Sequence, residues 1–131
     1  MAEVPPSHRD LLNAQVATLA TIGPDERPQV TEVWFLATAG TVRMSLNTTR
    51  QKVKNLRRDP KCTVFLLDLA DPYRYLELRG DAEISPDDDY AFADELAAKY
   101  GADLRARDKP GETRVAVTLH PTKINAINMH G

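Results

Sequence analysis

The sequence predicts a mainly β fold with small helices: about six short antiparallel strands closed into a small barrel. Three observations carry this. "YLELRGDAEI" alternates strictly, with Leu76, Leu78, Ala82 and Ile84 on one face and Glu77, Arg79, Asp81 and Glu83 on the other. "CTVFLLDL" is nearly continuous apolar, as expected of a central strand or a subunit interface buried on both faces. The remaining strand-like segments are short, are separated by Gly- and Pro-rich turns, and alternate with few helical patterns. Closure into a barrel suits such strands better than an open sheet, because it removes exposed edges.

In chain order, "PPSHRDLLNAQ" suggests a short opening helix with Ser7 as N-cap and Asp10 in a capping-box relation. "VATLATI" reads as a strand, "GPDERP" as a turn, and "QVTEVWFLAT" and "TVRMSL" as further strands linked around Ala39 and Gly40, so that a meander is expected. Trp34 and Phe35 are read as core. "TRQKVKNLRRDP" is a helix: Thr49 is the expected N-cap, Val53 and Leu56 share a face, and Asp59-Pro60 stops it. After the two strands described above, "SPDDDYAFADELAAKYG" carries the strongest helix signals, with Ser85 as N-cap, Pro86 in the first turn and Gly101 past the end. Gly80 falls on the apolar side of its strand, where a bulge or sharp bend accounts for it. "ADLRARDKPGE" is expected to be a charged, mobile loop, and the closing strand "TRVAVTLHPTKINAI" to be broken or bulged at Pro121.

At 131 residues, a single domain over 1–131 is expected. A net charge of −2 argues against a general nucleic-acid binder. The single cysteine, Cys62, permits no disulfide within the chain and reads as a small buried apolar residue. No apolar run approaches the ~18 residues of a membrane span, and a cytoplasmic location without membrane attachment is expected. His8, His120 and His130 lack zinc spacing and read as surface or capping residues, so no metal site is expected. Walker A, G-x-G-x-x-G and G-x-S-x-G patterns are missing, and no nucleophile and base pair stands out; any catalysis would rest on a cofactor.

The chemically suggestive segment is the basic helix. Arg50, Lys52 and Lys54 crowd its N-terminal turns, where free backbone N–H groups and the helix dipole already disfavour positive charge by up to about 1 kcal/mol per residue. Such an arrangement becomes favourable around a bound phosphate. A solvated basic face is the plain alternative.

"LATIGPDERPQVTEVWF", "VRMSLNTTRQKVKNLRRDPKCTVFLL" and "RYLELRGDAEI", in this order, resemble the successive signature segments of the pyridoxamine-phosphate-oxidase-like split β-barrel superfamily over residues 8 to 127. Within it, the chain is most similar to the small deazaflavin-dependent reductases that use coenzyme F-420. The resemblance implies a homodimer of six-stranded Greek-key barrels of the FMN-binding-like type, with cofactor sites in clefts at the interface. It implies that Arg50 and Lys52 hold the cofactor phosphate, with donors from Thr48, Thr49 and Gln51. Met44, Ser45 and Asn47 would run along the ring, Pro28, Thr31 and Val33 would approach it from one side, and Tyr75, with Tyr73 less directly, would come from the other subunit. A small-molecule hydride acceptor is implied as partner. The helix start reads Arg50-Gln51-Lys52 where the true oxidases have Ser-Arg-Lys, a shift that weakens an FMN assignment, and the true oxidases carry further residues for pyridoxal phosphate and an extended C-terminal segment that are not matched here. Pyridoxamine-phosphate oxidation is therefore not expected. FMN in place of the deazaflavin, a non-catalytic deazaflavin carrier or sensor, and a haem-handling barrel are the alternatives.

Overall fold

The computed structural model describes residues 2–130. Its framework is one antiparallel sheet in the order β2-β1-β5-β6-β7-β4-β3. The strands are β1 (Ala17–Ile22), β2 (Pro28–Val33), β3 (Leu36–Ala37), β4 (Val42–Asn47), β5 (Lys61–Leu67), β6 (Arg74–Pro86) and β7 (Arg114–Asn128). Two helices, α1 (Gln51–Arg58) and α2 (Ala91–Tyr100), join a 3₁₀ helix over Pro6–Asn13 and another over Arg105–Arg107. Among the described residues, no helix is long and apolar enough to cross a membrane.

Seven strands stand where six are expected, because "QVTEVWFLAT" is split. Its first half, β2, pairs with β1, and its second half, β3, pairs with β4. These halves lie at opposite ends of the strand order, yet only Trp34 and Phe35 separate them in sequence. The three steps from Val33 to Leu36 reach roughly 10 Å. The sheet must therefore curl until its two edges nearly meet, which makes a split barrel rather than a flat sheet. The expected meander is likewise replaced: β4 pairs with β3 and β7, not with β2.

Alternation in β6 places Leu76 and Leu78 fully inside, with Ala82 and Ile84 packed against the same core. Strand β5 buries Cys62, Val64 and Leu66, while Thr63, Phe65 and Leu67 are only half-buried, so just one of its faces is closed within a single chain. The bulge expected near Gly80 and Pro121 is present, as the β6–β7 register shifts between Arg79 and Gly80. A Cβ on Gly80 would stand 2.1 Å from the His120 carbonyl oxygen, so the close approach of the two backbones requires glycine.

Three expected helix starts are corrected. Prolines, not Ser7, begin the first helix: Pro5 is its N-cap, while Ser7 bonds to His8 and Asp10 pairs with Arg74. His8 is buried rather than superficial, with its Nε2 on the Ile127 carbonyl at 3.0 Å. Arg50, not Thr49, is the N-cap of α1, without any side-chain capping bond. Ser85 and Pro86 belong to β6, because pairing with β7 continues to Pro86 opposite Val115 and delays the helix to Ala91. Its N-cap position is Tyr90, and the buried Asp87 three residues earlier supplies the carboxylate that accepts the N–H groups of Phe92 and Ala93 at 3.0 and 2.9 Å. Tyr90, just before the helix, takes a left-handed conformation, φ 62°, that a tyrosine rarely adopts. Gly101 ends α2 in the left-handed conformation its sequence position suggests.

Candidate functional site

A cleft of about 580 Å³ opens beside the start of α1, between the end of β4 and the 102–114 segment. Five cationic side chains line it, Arg50, Lys52, Arg107, Lys109 and Arg114, against three acidic ones, Glu32, Asp108 and Glu112. The imbalance favours an anionic ligand.

Asn47 organises the entrance. Its side-chain oxygen accepts the Thr49 N–H at 2.9 Å and the Thr49 hydroxyl at 2.7 Å, an Asx turn that bends the chain from strand into helix. Its amide nitrogen donates across the cleft to Asp108 at 3.0 Å and Glu112 at 3.1 Å. Arg50 and Lys52 sit on the helix side of this turn and have no carboxylate partner among the described residues. Burial, with the Arg50 charge beside it, holds the Lys52 ammonium below the ordinary lysine range. Two converging cations without a counter-charge, one of them partly desolvated, are unfavourable alone and favourable around a phosphate.

Opposite, Asp108 is the centre of a closed network, which replaces the mobile loop the sequence suggests. Arg114 grips it bidentately at 2.8 and 3.0 Å, and the Tyr90 hydroxyl donates to it at 2.6 Å. The Asp108 side chain is 4% exposed and that of Arg114 is 9% exposed, so this pair fixes the loop against the barrel. Burial raises the carboxyl's pKa, but the bonds from Arg114, Tyr90 and Asn47 outweigh it and leave the pKa lowered. Next to this network, Trp34 stacks on Tyr100 with centroids 4.2 Å apart and planes 5° from parallel, and Arg107 lies 4.6 Å from the centre of the indole. The Tyr100 hydroxyl accepts the Phe35 N–H at 3.0 Å, which locks the stack at the crossing between β2 and β3.

Of the residues expected at the site, the cleft brings together Val33, Ser45, Asn47, Thr49, Arg50 and Lys52. The Met44 side chain is instead fully buried in the core. Thr48 faces the 102–114 segment, its hydroxyl 2.8 Å from that of Thr113, and Gln51 donates to Asn55 within α1. Thr31 shares the more covered face of β2 with Val33 but does not line the cleft, whereas Pro28 lines a separate hollow of about 520 Å³ with Ile22 and Cys62. That second hollow is a poorer candidate. Its Arg79 is paired with Glu77, and burial, with Asp81 nearby, pushes the Cys62 thiol up to about 12, far from a nucleophile. Tyr75 packs on Phe65, 5.1 Å between centroids, away from the cleft of its own chain. Sequence reasoning did not single out Arg107 and Asp108, which look like any charged loop, or Arg114, which reads as part of the closing strand, and it placed Trp34 in the core; the split of its strand is what turns Trp34 to the cleft.

Comparison with known proteins fits this architecture. The family model described as pyridoxamine 5'-phosphate oxidase matches residues 4–128, and the chain belongs to that family. A solved structure named F-420 reductase is similar to it at 35% identity and a TM-score of 0.81, over 93% of this chain and 98% of that one. A conserved hypothetical protein of Mycobacterium tuberculosis is 26% identical with a TM-score of 0.76, covering 98% and 86% of the two chains. A Listeria innocua protein at 21% identity, TM-score 0.72, over 93% and 96%, shares the fold.

Proposed function

We propose that this protein is a deazaflavin-dependent oxidoreductase that binds coenzyme F-420 and reduces an electron-poor organic acceptor such as an enone, a quinone-like compound or a tetrapyrrole. The observation that carries the reading is the uncompensated Arg50 and Lys52 pair at the start of α1, opening on a cleft long enough to extend past Ser45 and Asn47 to Trp34. Family membership and the likeness to an F-420 reductase support it. The donor set fits the group. Arg50, Lys52 and the Thr49 hydroxyl suit a phosphate, Ser45 and Val33 border the space beyond, and the Asp108 network gives that space a fixed wall. When bound, the reduced deazaflavin supplies the hydride. The protein's part is to anchor the phosphate and hold the ring against β4, with the acceptor's proton drawn from solvent at the open side of the cleft.

The reading includes a cytoplasmic homodimer whose second copy completes the cleft. Support comes from the outer face, where Val30, Leu69 and Tyr73 are 59%, 83% and 55% exposed and Phe65, Leu67 and Tyr75 are only half-covered. Tyr75 would then reach the partner's cleft rather than its own. Sedimentation of the purified protein as a monomer at micromolar concentration would remove this part of the reading.

The phosphate donors suit FMN as well, so titration with F-420 and, separately, with FMN decides between them. Preferential F-420 binding is expected, weakened by roughly 1.5–3 kcal/mol in Arg50→Ala and in Lys52→Ala. Tight FMN binding instead would move the protein to the flavin branch of its family. Wild-type affinity in both variants would leave the helix start a solvated face.

A further inference from the structure

The cleft has a second cationic end, and its geometry differs from the first. Three arginines lie close together in sequence on the segment that walls the cleft, Arg105, Arg107 and Arg114, and two of them are committed. Arg105 pairs with Asp94 at 2.9 Å and donates to the Asp89 carbonyl at 2.8 Å. Arg114 is bound at both ends of its fork by Asp108. Arg107 alone among them has no carboxylate or carbonyl partner for its guanidinium among the described residues, although it is held: it lies 4.6 Å from the centre of the Trp34 ring. Stacking uses the face of a guanidinium and leaves its in-plane N–H donors free.

The platform beneath it is rigid. Tyr100 stacks on Trp34, nearly parallel to it, and is itself bonded to the Phe35 backbone through its hydroxyl. None of the cleft's acids bonds to the fork: Asp108 is taken by Arg114, Tyr90 and Asn47, Glu112 accepts the side-chain amide of Asn47 and the Lys109 N–H, and Glu32 accepts the Thr18 hydroxyl. Lys109 adds a second cation on the same wall, and Leu96 and Leu104 supply the apolar surface between. A guanidinium that is oriented, unpaired and backed by apolar surface matches a carboxylate attached to a carbon skeleton.

We infer that Arg107, held on Trp34, is a carboxylate subsite of this cleft, and that the acceptor reduced here is an electron-poor compound carrying a carboxylate apart from its reacting double bond, rather than a neutral enone. The substrate assignment rests on the oxidoreductase reading above; the carboxylate subsite does not. The carboxylate is a spectator that fixes the skeleton against the wall opposite Arg50 and Lys52, so the two anionic groups of cofactor and acceptor are held at separate ends.

Trp34 is the only tryptophan of the chain, so its emission reports directly on this wall. The experiment is a fluorescence titration of the full-length protein, without cofactor, by trans-2-hexenoate and by its neutral isostere trans-2-hexenamide. It is read as affinity because replacing Arg107 changes the starting emission. Saturable binding of hexenoate is expected, with the amide weaker by about tenfold or more. Arg107→Gln should bring hexenoate down to the amide's level and Arg107→Lys should recover part of the loss. Lys123→Gln, which removes a cation outside the cleft, should leave hexenoate binding as in the wild type. Equal binding of acid and amide, no hexenoate binding at all, or full affinity in Arg107→Gln would overturn the subsite. F-420 affinity measured on Arg107→Gln separates the two readings. Loss of cofactor binding there, with no effect on hexenoate, would assign Arg107 to the cofactor instead; intact hexenoate recognition in a protein that binds no F-420 would keep the subsite and remove the reductase.

Discussion

The two helix starts of this molecule are built on opposite rules. Helix α2 begins over a buried carboxylate, Asp87, that takes two of its free N–H groups, and Asp94 lies in its first turn. Helix α1 begins without a side-chain cap, with Arg50 at the N-cap, Lys52 in the first turn and no acid. The first arrangement serves stability, because negative charge at a helix start opposes the dipole. The second sacrifices some stability and leaves donors and positive charge available to a ligand. The contrast extends in part across the cleft: on the α2 side Asp108 pairs with Arg114 and Asp94 with Arg105, leaving Arg107 without a carboxylate partner, while on the α1 side neither Arg50 nor Lys52 has one among the described residues.

This contrast can be broken from either side. The largest effect is expected from Asp108→Ala, which strips a buried arginine of its partner and should lower unfolding free energy by roughly 3 kcal/mol, measured by urea denaturation. Asp87→Ala should cost about 2 kcal/mol in the same assay, since two buried N–H groups lose their acceptor. Lys52→Glu should do the reverse, raising the stability of the ligand-free protein by about 0.5 kcal/mol while abolishing phosphate binding; a destabilised Lys52→Glu protein would mean that the basic start is not a sacrifice of stability. The smallest effects concern pH. Because the Lys52 pKa is lowered, the charge that attracts a phosphate is lost at a lower pH than for an ordinary lysine, and F-420 affinity should begin to fall earlier on the alkaline side than in Lys52→Arg. The Asp108 pKa is also lowered, so its contribution to stability is complete above the ordinary aspartate value of 3.8 and is lost as pH falls through the folded-state value; Asp108→Asn should flatten that acid limb of the stability profile.

Much of the fold was legible in the sequence, and the physical reason is local. Period-two alternation in "YLELRGDAEI", the glycine at the bulge and the stop at Asp59-Pro60 each depend on neighbours in the chain. The basic start of α1 could be read in the same way, since charge at a helix end needs no tertiary contact to be unfavourable. The errors arose where pairing over long distances overrode local signals. Ser85-Pro86 has strong helix-start chemistry, but pairing opposite Ala116 and Val115, closed by the Asp87 N–H on the Arg114 carbonyl, keeps these residues in β6 and leaves the Asp87 carboxylate to take the free N–H groups of α2. "QVTEVWFLAT" reads as one strand, yet closing the sheet divides it between two edges.

By itself, then, the sequence determined a mainly β chain with a phosphate-ready helix start, because alternation, turns and end charges are properties of consecutive residues. Only the tertiary structure decided what faces that start. Asn47, Tyr90 and the Asp108–Arg114 pair come from three separate stretches, and their convergence depends on the curl of the sheet, as does the exposure of Trp34 to the cleft with Arg107 upon it.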